Sequence, residues 1–309
     1  MKIVVTGGAG FIGSALIEHL NEIGIREIVV VDELGFKSKW KNLVGLDYQE
    51  YYEKDDFLKY FEKFPVISGI THVVHLGACS NTQEKDASYL VKNNVDYSKR
   101  LIDICTLRDI RFIYASSAAT YGNGSCCDMQ PLTDLKPINM YGYSKHMLDM
   151  YIQKYYRDCA TGLKFFNVFG PREEHKGIMK SFILRAFELL SSGASSLDVY
   201  ETNGAMRDFV YIDDVVKVIT HFIEGCDLGI YNVGSGVSTS WNDLANVIFK
   251  VMGKEPKIDI QKMPYVMESG YQFNTHSNNV RLRQSGYVAP MTLIEEAVKL
   301  YYDKWRTSK

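Results

Sequence analysis

The stretch Thr6-Gly7-Gly8-Ala9-Gly10-Phe11-Ile12-Gly13 decides the reading of this chain. It follows the apolar run Ile3-Val4-Val5 and opens a segment with apolar residues at Phe11, Ile12, Ala15, Leu16 and Leu20. That pattern predicts a strand, a glycine turn and a helix. A second apolar run, Ile28-Val29-Val30-Val31, ends at Asp32. Glycines at Gly7, Gly10 and Gly13 let backbone N–H groups approach a pyrophosphate, and the helix N-terminus adds partial positive charge. An acid closing the second strand can accept hydrogen bonds from an adenosine ribose. A tight turn without a ligand would leave Asp32 unexplained, so dinucleotide binding is expected.

Working outward, strand-like and helix-like patterns alternate through the first half. Helices are expected near Lys54–Phe64, Tyr89–Arg108 and Tyr143–Tyr156, and strands at His72–Leu76, Arg111–Ala115 and Leu163–Phe166. Short apolar strands alternating with helices predict a doubly wound parallel sheet of Rossmann-like α/β class, covered on both faces. Beyond Gly170 the regularity fails. Helices are expected over Ile178–Leu190, Val215–Ile223, Trp241–Met252 and Leu293–Trp305, in a smaller, partly helical substrate domain. The expected division is 1–170 for the dinucleotide domain, receiving about 209–235 as well, and 171–309 for the substrate domain.

The 309 residues carry a formal net charge of -2. That balance favours neither nucleic acid nor an anionic membrane surface as a partner. No apolar run approaches the ~20 residues that span a bilayer. The N-terminus enters a strand at once, which predicts no signal peptide and a cytoplasmic protein. Six cysteines, with no C-x-x-C pair, read as reduced thiols, and the histidines lack ligand spacing; no metal is expected. His72 and His75 read as structural.

The chemistry concentrates in Tyr141-Gly142-Tyr143-Ser144-Lys145. Four residues apart on a helix, Tyr141 and Lys145 share a face. A phenol of pKa ~10 is a poor base at neutral pH, and lowering it by ~3 units takes about 4 kcal/mol. A lysine ammonium and an oxidised nicotinamide are two cations that could supply it. Tyr141 would then take the proton of a sugar alcohol as hydride leaves the carbon. Upstream, the strand end Tyr114-Ala115-Ser116-Ser117 points into the crevice of such a sheet. Ser117 is expected to face the reacting hydroxyl, and Ser116 to alternate away.

These motifs resemble the extended short-chain dehydrogenase/reductase superfamily. A second layer narrows the resemblance to the ADP-glycero-manno-heptose 6-epimerase family. It comprises Gly77-Ala78-Cys79-Ser80-Asn81-Thr82, the run Tyr114–Gly122, Phe166–Gly177 with its Pro171-Arg172-Glu173, Arg207-Asp208-Phe209-Val210-Tyr211, and Tyr271-Gln272. The resemblance covers nearly the whole chain. It implies that Phe11, Ile12, Asp32, Glu33, Lys39, Lys54, Leu76, Gly77, Ala78, Cys79, Ser80, Asn93, Lys145, Val168 and Lys176 line the dinucleotide. It implies that Asn167, Ile178, Arg185, Tyr200, Glu201, Thr202, Asn203, Arg207 and Tyr271 hold the nucleotide-sugar. Tyr141 and Lys176 become the two acid/base groups. Arg207 makes independent sense, since a guanidinium fork suits a diphosphate.

The chain departs from the family pattern at four places. Leu76 replaces an acid at the cofactor-facing strand end, Ile178 and Arg185 stand where a serine and a histidine are usual, and Glu174 replaces a glycine. The resemblance implies NADP. Glu33 would repel a 2′-phosphate and Lys39 attract it, each by about 4 kcal/mol at 4 Å and an effective dielectric of 20, so NAD is an alternative.

The expected reaction inverts C6″ of the heptose by transient oxidation, rotation of a bound ketone and re-reduction, on the route to the lipopolysaccharide inner core. Another nucleotide-sugar epimerase, such as a UDP-sugar 4-epimerase, and a non-catalytic dinucleotide-binding module are the alternatives. Ala118 and Ala119 after Ser117 argue against a 4,6-dehydratase, which carries an acidic pair there. The resemblance also implies a homo-oligomer, in this family a pentamer.

Overall fold

The computed structural model describes every residue except 37, 64–68, 203, 226 and 265–269. Seven parallel strands form the central sheet: β1 (Lys2–Thr6), β2 (Ile28–Asp32), β3 (Glu50–Glu53), β4 (Ile70–His75), β5 (Arg111–Ser117), β6 (Ala160–Phe165) and a late strand, Gly229–Val233. Their spatial order is β3-β2-β1-β4-β5-β6 followed by the late strand. From β1 the chain first winds outward through β2 and β3, then crosses to β4 on the other side. The carboxyl ends of β1 and β4 therefore flank a crevice that neither crossover covers.

The strand residues alternate between two cores with the two-residue period of a pleated sheet. Ile3, Val5, Ile28, Val30, Val74 and Ile113 face one way. They meet Leu16, Ile17 and Leu20 of α1 (Phe11–Glu22) and the Val215–Ile223 face of a later helix, Ile212–Glu224. Val4, Val29, Val31, Val73 and Phe112 face the other way. They meet Phe57 and Phe61 of α2 (Lys54–Lys63) and Leu101, Ile102 and Cys105 of the long helical segment Ala87–Leu107. Leu148 and Ile152 of the helix Met140–Tyr155 complete that layer. Both faces are buried, so the strands are Val- and Ile-rich throughout.

Numbering the helices in chain order, the long segment comprises α3 (Ala87–Leu90), a π turn at Val91–Asp96 and α4 (Tyr97–Leu107). The helix Met140–Tyr155 is α5. After β6 come β7 (Asn167–Phe169), α6 (Phe182–Ser191), β8 (Leu197–Tyr200), β9 (Met206–Tyr211) and α7 (Ile212–Glu224). The late strand is β10, followed by β11 (Ser238–Ser240), α8 (Trp241–Val251), β12 (Ile258–Gln261), α9 (Val280–Gln284) and α10 (Ile294–Thr307). β7 and β11 flank β9 in a small sheet, and β8 pairs with β12 in another.

The expected helix over Ile178–Leu190 is corrected. A 3-10 turn covers Glu174–Met179, and α6 starts only at Phe182. Gly177 at φ +57° breaks the helical run. Ser181 restarts it, its hydroxyl accepting the Leu184 N–H at 3.1 Å. β3 escaped the sequence because Glu-Tyr-Tyr-Glu is a short edge strand with no aliphatic residue.

Behind α5 lies a buried ion pair. Lys164 Nζ donates to Asp149 Oδ2 at 2.9 Å, with exposures of 1% and 0%. Tyr114 and Ser116 donate to the same carboxylate at 3.0 and 2.8 Å. One side chain of α5 thus ties β5 and β6 together. Lys164→Met would leave Asp149 buried without its cation and is expected to cost about 3–5 kcal/mol of unfolding free energy, measured by chemical denaturation.

Candidate active site

The glycine turn is built so that side chains cannot enter it. Gly7 has φ +68°, and a Cβ there would lie 2.7 Å from the backbone N of Gly77. A Cβ on Gly13 would lie 2.2 Å from the Gly7 carbonyl oxygen. The ends of β1 and β4 touch backbone to backbone, leaving the N-terminus of α1 open as an anion cradle.

Asp32 closes β2 beside this cradle. Its carboxylate accepts the Ala9 N–H at 2.8 Å, the Glu33 N–H at 2.7 Å and Lys39 Nζ at 2.5 Å. Glu33 pairs with Lys54 at 2.6 Å, and that bond holds its carboxyl below the usual range. Lys54 also donates to Asn93 Oδ1 at 2.8 Å. Each of the two cations here has a carboxylate partner.

The π turn explains how Asn93 reaches the site. A π bulge shifts the helical phase by one residue and is typical of functional positions. It leaves Asn93 toward Lys54 while the next residue, Asn94, turns inward. Asn94 accepts the Cys79 N–H at 2.8 Å and donates to the Cys79 carbonyl at 3.0 Å and to Ser144 at 3.0 Å. The loop Gly77–Ser80 is thereby pinned to α5. Sequence reasoning missed Asn94, since nothing in the helical pattern announces a π turn.

On α5, Asn139 accepts the Gly142 N–H at 2.8 Å and starts the helix just before Tyr141. Tyr141 is half-buried with its phenol end inward, where a hydrogen bond with Ser117 favours the ionised form. Ser117 also accepts the Ala119 N–H at 3.1 Å. Ser116 turns the other way, to Asp149. Lys145, 4% exposed, donates to the Ala115 carbonyl at 2.9 Å. Ser117, Tyr141 and Lys145 therefore meet at the end of β5.

Burial opposes charge on both residues of the helical pair. Burial raises the Tyr141 phenol above its ordinary value, and the Ser117 bond only partly offsets this. Burial also pushes Lys145 down to about 8, although Asp149 acts in the opposite direction.

Lys176 reaches the same crevice from the loop after β7, its ammonium 5.2 Å from the Phe11 ring centroid. Burial lowers its pKa, against the neighbouring Glu173. Asn167 and Val168 lie on β7, paired with Phe209 and Val210. Arg207 on β9 is 7% exposed and stacks over Tyr271 at 4.7 Å. Gln272 donates to the carbonyls of Ala118 and Gly122 at 3.1 and 2.6 Å, fastening this segment to the loop after Ser117.

Other expected residues are less gathered. Ile178 is 78% exposed, and Arg185 is exposed on α6. Tyr200 and Glu201 are exposed, Thr202 is half-buried and Asn203 lies outside the described residues. Leu76, Gly77, Ala78 and Cys79 are half-buried along the crevice, and Ser80 is exposed. His75 is structural, its ring between Thr6 at 2.6 Å and Ser98 at 2.7 Å. Among the described residues no three His, Cys, Asp or Glu side chains converge on a metal position, and no helix is long and apolar enough to cross a membrane.

A family profile described as NAD dependent epimerase/dehydratase matches residues 3–234. The chain belongs to that family. This epimerase is also 42% identical to the ADP-L-glycero-D-manno-heptose-6-epimerase of Nitratidesulfovibrio vulgaris, over 98% of this chain and 97% of the relative. The enzyme of the same name from Brachyspira hyodysenteriae is 38% identical over 97% of this chain and 96% of its own. The crystal structure of the Helicobacter pylori enzyme of that name superposes with TM-score 0.85 at 28% identity, covering 99% of this chain and 96% of that one. UDP-glucose 4-epimerase from Thermotoga maritima, solved with UDP-glucose, gives TM-score 0.85 at 26% identity over 100% and 99%. The family comprises NAD-dependent epimerases and dehydratases, the relatives of heptose-epimerase name are isomerases, and the cradle at Gly7, Gly13 and Gly77 fits a nicotinamide dinucleotide.

The Lys145 shift makes a stability prediction. Its folded pKa is depressed to about 8 from 10.5. Between those values the unfolded chain binds the extra proton, so stability rises with pH across that window. Relative to a Lys145→Met variant, the wild-type protein is expected to gain up to about 3 kcal/mol between pH 8 and pH 10.5. Denaturant titrations across that range check it.

Proposed function

We propose that this chain inverts C6″ of ADP-glycero-manno-heptose by transient oxidation and re-reduction. The observation that carries the proposal is the meeting of Ser117, Tyr141 and Lys145 at the β5 end, with Lys176 arriving over the glycine turn from a separate loop. Support for the sugar comes from relatives of that name at 38–42% identity over nearly the full length. When held in the cradle at Gly7, Gly13 and Gly77, a nicotinamide would supply the hydride acceptor for oxidation at C6″ and the hydride donor for re-reduction from the opposite face.

The chain's own residues do the rest. Tyr141 takes or gives the hydroxyl proton on one face, its hydrogen bond with Ser117 favouring tyrosinate. Lys145 is positioned by the Ala115 carbonyl beneath it. Lys176, whose burial lowers its pKa, serves the other face. Arg207 and Tyr271 hold the diphosphate and nucleotide end. Asn167 and Tyr200–Thr202 lie alongside, with Ile178 and Arg185 at the exposed rim; Asn203 belongs to the same proposed set and falls outside the described residues. Anchoring the nucleotide while the sugar end turns presents both faces without release.

NADP is the proposed cofactor, with Lys39 and Lys54 bracketing the end of β2. The Lys54–Glu33 pair favours the second reading, NAD, because a 2′-phosphate would have to compete with Glu33. The proposal includes the division at about residue 170, with 209–235 contributing to the first domain. It also includes a cytoplasmic homo-oligomer, a pentamer in the family resembled, in the lipopolysaccharide heptose route. Exposed Tyr89, Tyr143, Met150 and Tyr155 on the α3–α5 layer suit a subunit contact.

Tyr141→Phe is expected to lower turnover about 10²–10⁴-fold with cofactor still bound, followed by NMR of the two ADP-heptose epimers. Wild-type turnover in that variant would remove Tyr141 from the mechanism. Lys176→Met is expected to fall about 10²-fold or more, and a harmless substitution would end the two-group account. Activity on UDP-sugars and none on ADP-heptose would replace the substrate. Mass spectrometry of the copurifying nucleotide decides between NADP and NAD.

A further inference from the structure

Two side chains anchor the loop that carries Lys176. The loop that carries it passes through Arg172 at φ +79° and Gly177 at φ +57°. One anchor is Glu173, whose buried carboxylate accepts the Ser181 N–H and hydroxyl at 2.6 Å each and the Tyr301 hydroxyl at 3.2 Å; the other is Asn42, 134 positions before Lys176, in the 3-10 turn Ser38–Leu43. Asn42 Nδ2 lies 3.1 Å from each of three acceptors: the Ala9 carbonyl, the Arg172 carbonyl and His175 Nδ1. Two carbonyls fix the amide's orientation, since only its NH₂ side can serve them. Two hydrogens are shared among three acceptors.

His175 is suited to accept. Burial, then the nearby ammonium groups of Lys39 and Lys176, push its imidazole down to about 4, so the ring is neutral. Its Nδ1 faces the Asn42 amide at 3.1 Å. Arg172 answers with its guanidinium, donating to the Asn42 carbonyl at 2.8 Å and to both carboxylate oxygens of Glu18 on α1 at 2.5 and 3.1 Å. The left-handed conformation of a non-glycine residue persists where its surroundings over-determine it.

The other end of the chain of bonds is the cofactor grip. The Ala9 N–H, on the same residue whose carbonyl meets Asn42, donates to Asp32. Lys39, three residues before Asn42 on the same turn, pairs with Asp32 as well. Asp32, Ala9, Asn42, His175 and Lys176 thus form one connected path from the ribose-side acid to the second proton-handling group.

We propose that Asn42 is a positioning residue that couples the dinucleotide turn to Lys176, setting the ammonium over Phe11 for proton transfer. The proposal rests on the reading of Lys176 as that group. A residue serving stability alone would occupy the same bonds without affecting Lys176 chemistry, so the test must separate the two.

The test is a double-mutant cycle in the full chain with its bound cofactor. Asn42→Ala, Lys176→Met and the double variant are compared for kcat and KM on ADP-glycero-manno-heptose and for affinity toward added NADP and NAD. Asn42→Ala is expected to lower kcat about ten- to a hundredfold, the scale of an ångström's misplacement. KM and cofactor affinity are expected to stay within about threefold, as for an interaction used mainly in the transition state. The double variant is expected to be no slower than Lys176→Met, because both changes remove one function.

Unchanged kcat in Asn42→Ala, or losses that multiply in the double variant, would overturn the proposal while leaving the Lys176 role intact. Wild-type turnover in Lys176→Met would overturn both, and is read from that variant alone. Should Asn42→Ala fail to fold, Glu18→Gln carries the same cycle by loosening Arg172 without touching the cofactor turn. It is expected to show a smaller kcat loss that likewise vanishes on the Lys176→Met background, and no loss there would overturn the proposal.

Discussion

Everything in this site depends on how closely the backbones at the ends of β1 and β4 approach. At Gly7 and Gly77 the chains come within a distance that a methyl group cannot share. That approach does two things. It places the open N-terminus of α1 at the crevice where the sheet order diverges, and it brings the Gly77–Ser80 loop alongside. Asn94 then fastens the loop to Ser144 on α5, one residue before Lys145. The position of the tyrosine helix relative to the glycine turn is therefore inherited from a backbone contact, through one asparagine. A larger side chain at Gly7 or Gly13 would act on the chemistry at a distance, by separating two strand ends, without removing any reacting group.

Several of these relations were legible in the sequence because they repeat locally. Alternating apolar runs announced β1, β2 and β5, and the spacing of Tyr141 and Lys145 announced a shared helical face. Ser117 over Ser116 followed from strand alternation, and the structure shows the physical counterpart: Ser116 is consumed by Asp149. What escaped was long-range or local in an unusual way. Asn42 and Arg172 are 130 residues apart, and no periodicity links them. The π turn at Val91–Asp96 leaves no mark on a helical pattern. The late start of α6 depended on Gly177 adopting a left-handed conformation, which the apolar run beginning at Ile178 concealed.

The buried pair behind α5 gives this arrangement rigidity and adds electrostatic direction. Asp149 lies four residues after Lys145 and eight after Tyr141, on the same helical face. Its charge is shared among Lys164, Tyr114 and Ser116, yet it still opposes the desolvation of Lys145. A helix face carrying phenol, ammonium and carboxylate in succession is thus graded from the crevice to the core. The carboxylate end is closed by its own hydrogen bonds, and the phenol end is left toward the crevice.

Burial sets the final constraint, because it opposes charge throughout the site. It raises the Tyr141 phenol, lowers Lys145 and Lys176, and lowers even the guanidinium of Arg207. A dry crevice biased toward neutral forms responds strongly to any charge that enters it, since few solvent dipoles screen the effect. In the proposed reaction the incoming charges have opposite signs and separate destinations. The diphosphate would stabilise the Arg207 cation, and an oxidised nicotinamide, when bound, would favour tyrosinate at Tyr141. The burial that disfavours tyrosinate thus makes ionisation of Tyr141 depend on a cation entering beside it, so in the proposed reaction proton transfer on that face awaits the cofactor.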